Sequence, residues 1–350
     1  MIKDIIRVLI VEDSPLMVKV LTNVLNADSQ LMVVGVAYNG KEAVDLVPSL
    51  KPDIITMDIH MPVMDGFEAT KHIMAYNPTP ILIISTSVFK QGMDKVFKAI
   101  SLGALDVVDK SLFELKEKES SIDDFIENIK LLSKIKVIHH PLAKIEKKQV
   151  KQLGYLSKDE VGERILTIAA STGGPQALFE VLKTLPADFP CGIAIVQHIT
   201  AGFVDGLAGW LDSECAISVK VAEDSEEIQP ATAYIAPCNL QMRIEKDKRI
   251  HLYREGPQGG HIPCADILFE SAGNAYGKNA IGIILTGMGK DGAKGIKSLH
   301  DTGGLTIAQD EESSIIFGMP KAAIEMNAID KIVSLSDIPS VIMELLKCHR

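Results

Sequence analysis

The sequence is poor in the residues that staple, span or grip nucleic acid. Its five cysteines (Cys191, Cys215, Cys238, Cys264 and Cys348) are odd in number and scattered, with no C-x-x-C pair. That spacing argues against a disulfide framework or a cysteine metal cage and fits free thiols in a reducing, cytoplasmic setting. No apolar run approaches the roughly 18 residues needed to cross a bilayer, so no membrane insertion is expected. The opening MIKDIIRVLI alternates charge and lacks a small-residue cleavage site, so it reads as a first strand rather than a signal peptide. The formal net charge of −10 leaves no basic excess of the kind a nucleic-acid binder carries.

What is present is an alternation of short apolar runs with helical segments. A chain of 350 residues, 47% hydrophobic and 23% charged, is ordinary globular material long enough for two domains. IRVLIVE, MVVGVA, DIITMD, PILIIST and ALDVVDK read as strands, with helices such as PLMVKVLTNVLN and GKEAVDLVPSL between them. That rhythm predicts an α/β unit, a parallel sheet with helices on both faces, over residues 1–122. Residues 123–162 differ: a last helix, SIDDFIENIKLLSKIKVI, runs into HHPLAKIEKKQVKQ, whose four lysines and single glutamate suit a solvated linker. From 163 to 350 the alternation resumes. ILTIAA, GIAIVQ, ISVKV, ATAYIA, IGIILTG and GLTIAQ read as strands, and REGPQGGHIPCAD reads as a surface loop that shapes a site.

In a doubly wound sheet the carboxyl ends of the strands meet at the ligand edge. Glu12 and Asp13 end the first strand and Asp58 the third, so three carboxylates gather where they repel one another unless a hard cation such as Mg²⁺ joins them. Ser85 ends the fourth strand and Lys110 the fifth. Together these groups suit a phosphoryl group on Asp58, its charge offset by metal and ammonium and one oxygen bonded by the hydroxyl. V-E-D-S-P, M-D-I-H-M-P-V-M-D-G, S-T-S and V-D-K resemble the motifs of a response-regulator receiver domain over about the first 120 residues. The resemblance implies a doubly wound (βα)5 fold and phosphorylation of Asp58 by a partner histidine kinase. Ser111 stands where that family usually has proline, and Val107 where an aromatic is frequent.

The stretch ILTIAASTGGPQALFEVL, residues 165–182, raises a separate question at Ser171. Serine before a helix is a preferred cap, and Pro175 suits a first turn. A glycine-rich turn can also cradle a phosphate, although Pro175 removes a donor and no lysine follows. A nucleophile elbow is the third reading, with the small residues Ala169 and Gly173 two positions either side of the serine. A hydroxyl nucleophile needs a base, and the base needs an orienting group. His198 ends the next strand at the same sheet edge, and His261 lies in the long loop. Asp291, in ILTGMGKDGAKGIKSL, either caps the helix that follows or orients the base. If that stripped turn folds over Ser171, the N–H of Met288 is the best-placed oxyanion donor.

A-S-T-G-G-P, V-Q-H, A-Y-I-A-P, L-T-G-M-G-K-D-G and F-G-M-P resemble the catalytic domain of the chemotaxis protein-glutamate methylesterases, the CheB family. The resemblance implies a Rossmann-like catalytic domain with a mostly parallel sheet. It also implies Ser171 as nucleophile, His198 as base and Asp291 as orienting acid, with Thr172 helping to position His198. The implied reaction is hydrolysis of glutamate γ-methyl esters on chemoreceptors, with glutamine deamidation as a second activity and no cofactor for the ester chemistry. Ile199-Thr200-Ala201 replaces a proline-rich segment of the family. Ile262 stands where arginine is common and Cys264 where serine is common.

Overall fold

The structure, a computed structural model, describes residues 5–86, 93–113, 119–135, 137, 164–200, 202–255 and 261–347. The chain divides into two compact units, Met1–Glu146 and Lys147–Arg350. The lysine-rich stretch expected as a linker lies outside the described residues.

The first unit alternates strands β1 (Ile6–Val11), β2 (Leu31–Ala37), β3 (Ile54–Met57), β4 (Ile81–Ser85) and β5 (Asp106–Asp109) with helices α1 (Pro15–Ala27), α2 (Gly40–Leu50), α3 (Gly66–Tyr76), α4 (Met93–Ser101) and α5 (Glu119–Leu132). All strands are parallel in the order β2-β1-β3-β4-β5. β3 and β4 are buried at every position. They are continuous apolar runs rather than alternating ones because helices cover both faces of the sheet. Helix starts follow local chemistry: the side chains of Ser14, Asn39 and Asp65 accept from the N–H groups of Met17, Glu42 and Glu68. An ion pair of 2.6 Å between Lys130 and Asp28 ties α5 to the residue that ends α1.

Val63, in the loop before α3, is 85% exposed and has φ +68°. A β-branched residue is strained in that region, and its side chain recovers little by burial. Val63→Gly is expected to stabilise the first unit by about 1 kcal/mol net of the added chain entropy. Thermal unfolding checks this; an unchanged or lower melting temperature contradicts the strain.

The second unit runs β6 (Ile165–Ala170), α6 (Gly174–Leu182), β7 (Gly192–Gln197), α7 (Val204–Glu214), β8 (Ser218–Val221), β9 (Thr232–Ile235), β10 (Gln241–Ile244), β11 (Ile250–Tyr253), α8 (Ala265–Tyr276), β12 (Ala280–Ile284), α9 (Ala293–Asp301), β13 (Leu305–Gln309), α10 (Met319–Glu325), β14 (Lys331–Val333) and α11 (Ile338–Lys347). Seven strands form a parallel sheet in the order β14-β13-β12-β6-β7-β9-β8, and β10 and β11 pair separately as an antiparallel hairpin. The six strands read from the sequence are all present. The hairpin and β14 were not among them; each of these strands is only three or four residues long and includes a polar or charged side chain.

From β6 the chain builds outward through β7 on one side and later returns to β12 on the other. The strand order therefore reverses beside β6. A crevice opens outside the carboxyl ends at such a switch point, where open α/β sheets bind ligands. Buried β6, β7 and β12 form its floor.

Candidate active site

Ser171 follows β6 directly, and its backbone is held from both flanking strands. Its N–H donates to the carbonyl of Thr286 beyond β12 at 3.0 Å. Its carbonyl accepts from the N–H of Gly174 at 2.7 Å and from the side-chain amide of Gln197 at 2.9 Å. The same Gln197 nitrogen donates to the carbonyl of His198 at 2.8 Å. One side chain, 2% exposed, thus ties the carbonyls of the candidate nucleophile and the candidate base. The capping alternative does not survive: α6 is preceded by Gly173, with no side-chain cap. Ser171 stands further back, on the turn.

The close approach extends to the turn after β12. A Cβ at Gly287 would lie 2.7 Å from the Cβ of Ser171, so only glycine lets this backbone pass over the serine. The turn that the sequence placed conditionally over Ser171 does fold there. The N–H of Met288 makes no hydrogen bond among the described residues, which leaves it available as a donor. Gly287→Ala forces the turn or the serine to shift. A misplacement of about 1 Å can cost about 10²-fold in rate. Loss in kcat with little change in KM is expected, and steady-state ester hydrolysis measures it; wild-type kcat would contradict the close approach.

His198 is placed by its own N–H, which donates to the carbonyl of Ala170 at 3.0 Å. Its Nε2 lies 2.9 Å from Oδ2 of Asp291. Both side chains of this pair are largely buried. With Nε2 turned to the acid, Nδ1 is the ring nitrogen left to take a proton. The Ser171 hydroxyl makes no hydrogen bond among the described residues; in sites without substrate such bonds are often long and tighten on binding.

Asp291 caps a helix, but not the one expected. α9 is preceded by Gly292, with no side-chain cap, whereas α8, which also lacks its own, is capped by Asp291 across the fold. The carboxylate accepts from the N–H groups of Ala265 at 2.8 Å and Asp266 at 3.3 Å, and from the thiol of Cys264 at 3.0 Å. Burial pushes its pKa up, but His198 and these donors outweigh burial and hold it well below the usual carboxylate range. Capping and orienting are therefore compatible roles for one side chain.

His261 stacks on His198, with ring centroids 4.4 Å apart and planes 20° from parallel. Thr172 is buried, and its carbonyl accepts from the Thr286 hydroxyl at 3.0 Å. No hydrogen bond joins the Thr172 side chain to His198 among the described residues. The sequence reading gave no role to Gln197, Thr286 or Gly287. The available signal was a glutamine ending an otherwise apolar strand.

In the first unit, Glu12 and Asp13 follow β1, Asp58 follows β3, and carboxylate oxygens of all three lie within 4.8 Å of one another. Lys110 reaches two of them, at 2.7 Å from Glu12 and 2.8 Å from Asp58. Burial first, and then the charge of Asp58, pushes the pKa of Glu12 up. Burial opposes the charge on Lys110, but Asp58 and Glu12 outweigh it and raise its pKa. The hydroxyls of Ser85 and Thr56 are buried without hydrogen-bond partners among the described residues. Three carboxylates, two of them paired with one ammonium, beside buried hydroxyls, fit a hard divalent cation and an anionic group together.

A parallel sheet presenting a serine, an imidazole and a buried carboxylate at adjacent strand ends has the parts of an α/β serine hydrolase. The family model described as CheB methylesterase matches residues 166–342, and that of the response regulator receiver domain matches residues 8–119. The chain belongs to the CheB methylesterase family, with a receiver domain in front of the catalytic domain. A protein-glutamate methylesterase/protein-glutamine glutaminase from Syntrophus aciditrophicus is 41% identical, over 97% of this chain and 98% of its own. One from Methanococcus maripaludis is 40% identical, over 98% of both chains. The crystal structure of the Thermotoga maritima CheB methylesterase catalytic domain is 39% identical with a TM-score of 0.50, covering 52% of this chain and 98% of that one. No helix among the described residues is long and apolar enough to cross a membrane.

Proposed function

We propose that the chain is a phosphorylation-regulated protein-glutamate methylesterase, acting on glutamate γ-methyl esters of chemoreceptors in chemotactic adaptation. The observation that carries this is the convergence of Ser171, His198 and Asp291 at three strand ends of one switch point, with the Gly287 backbone against the serine. Ser171 attacks the ester carbonyl as Nδ1 of His198 takes its proton. Asp291 holds the imidazolium that forms, and the N–H of Met288 donates to the oxyanion. Methanol leaves with the proton returned by His198, and water then releases glutamate from the acyl-enzyme. Glutamine deamidation follows the same course with ammonia leaving. Positioned proton transfer contributes about 10²–10⁴-fold, and one oxyanion donor is worth about 3–4 kcal/mol. In this reading Thr172 supports the turn that carries Ser171.

The receiver would take a phosphoryl group on Asp58 from a histidine kinase. Glu12, Asp13 and Asp58 would hold Mg²⁺, which supplies charge neutralisation at the transferring phosphoryl group. Lys110 offsets the charge of the product, and Ser85 donates to one of its oxygens. The domains are assigned as receiver 1–122, helical extension and linker 123–162, and catalytic domain 163–350.

The test is methanol release from membranes bearing methylated receptors, with and without a small acyl phosphate as phosphodonor. The wild type is expected to release methanol and to respond to the donor, whereas Asp58→Ala keeps basal release and loses the response. No release under either condition would instead favour a catalytically dead domain that docks partners under receiver control.

A further inference from the structure

Cys264 is buried, 4% exposed, at the position before α8. Its N–H donates to Oε1 of Gln241 at 2.7 Å, and Gln241 is itself fully buried. The backbone is thereby fixed, and the side chain is directed at Asp291, with Sγ 3.0 Å from Oδ1. We propose that Cys264 is a positioning residue for the esterase reaction, its thiol fixing the carboxylate that holds His198. This rests on the assignment of Ser171, His198 and Asp291 above.

The thiol acts as a donor and not as a nucleophile. Burial, and then the adjacent Asp291, pushes its pKa up to about 12, so it keeps its proton at neutral pH. A carboxylate offers only acceptors, so that single S–H has one useful direction. The bond completes a cage. Oδ1 receives the thiol and the N–H groups of Asp266 and Gly292, and Oδ2 receives the N–H of Ala265 and faces His198. Without the thiol, Oδ1 keeps two backbone donors, Gly292 at 3.0 Å and Asp266 at 3.3 Å, and the carboxylate is held less firmly against the imidazole. The chemistry asks for a donor at this position rather than for sulfur, so a hydroxyl should serve.

One consequence separates positioning from packing. A carboxylate held less firmly against the ring supports the imidazolium of His198 less. His198 must be neutral to act as base, so the acid limb of the pH–rate profile moves to lower pH. The other ionisable groups facing this pair are Asp266 at the start of α8, with Lys294 beside it, and His261 stacked on His198. None of them is altered by the substitution.

The experiment is steady-state ester hydrolysis by the full chain across pH, comparing wild type, Cys264→Ala, Cys264→Val and Cys264→Ser. The alanine and valine variants are expected to lose about tenfold in kcat with KM unchanged and to shift the acid limb downward. The serine variant restores both. Valine, closer to cysteine in volume, keeps the comparison open if alanine melts early. Wild-type kcat and an unmoved limb in alanine and valine would overturn the proposal, as would a serine variant that behaves like alanine. Asp291→Asn, measured alongside, separates the two claims. If it retains wild-type activity, the triad assignment fails. If it is crippled while Cys264→Ala is not, only the role of the thiol fails.

Discussion

Ser171→Ala is expected to lower methanol release from methylated receptors by about 10⁵–10⁶-fold in kcat. The residue has no other structural duty to lose. Its hydroxyl makes no hydrogen bond among the described residues, and α6 begins at Gly174 without it. Everything that fixes Ser171 acts through its main chain: Thr286, Gly174 and Gln197 hold its N–H and carbonyl. Alanine keeps all of those bonds, so the fold and the melting temperature should be unchanged while turnover disappears. Residual activity near the wild-type level would remove the serine from the mechanism.

Asp291→Asn is expected to cost about 10⁴-fold, the loss typical when a triad acid can no longer hold the imidazole in its working tautomer. The amide matches the carboxylate in shape but brings its own N–H donors. The carboxylate now accepts from Ala265, Asp266, Cys264 and Gly292 and faces Nε2 of His198, so an NH₂ group must point at a donor wherever it turns. Stability should fall as well, by about 1–2 kcal/mol, because a charge at the start of α8 is lost. The pH dependence of that loss has a defined sign. The folded pKa of Asp291 lies below its unfolded value, so its contribution is fully present above about pH 4. It is lost as pH falls through the folded value. The stability gap between variant and wild type should therefore be widest at neutral pH and close in acid. A constant gap would mean that the carboxylate charge does not stabilise the fold.

Much of this was legible because buried parallel strands announce themselves. ILTIAA, GIAIVQ and IGIILTG are apolar at nearly every position, and the residues that follow them, Ser171, His198 and the glycine-rich turn, necessarily share one edge of the sheet. The receiver pocket was readable for the same reason, since Glu12, Asp58, Ser85 and Lys110 lie at or just after strand ends. What sequence spacing does not carry is which neighbour a side chain turns toward. Asp291 reads as a cap for the helix after it and in fact caps α8, which arrives from 26 residues upstream. Ser171 reads as a cap and is not one, because a glycine in the left-handed region, Gly173 at φ +75°, starts the helix instead. The double grip of Gln197 depends on the pairing of β6 with β7, which no local pattern encodes. The hairpin of β10 and β11 was missed, yet Gln241 on β10 holds Cys264.

The central claim is that Ser171 carries the acyl group. Rapid acid quench of the full chain during turnover of a glutamyl γ-methyl ester, followed by peptide mass analysis, tests it directly. The account predicts a glutamyl adduct on the peptide containing Ser171, absent in Ser171→Ala and accumulating in a variant that slows deacylation. An active enzyme with the adduct on any other residue would contradict it.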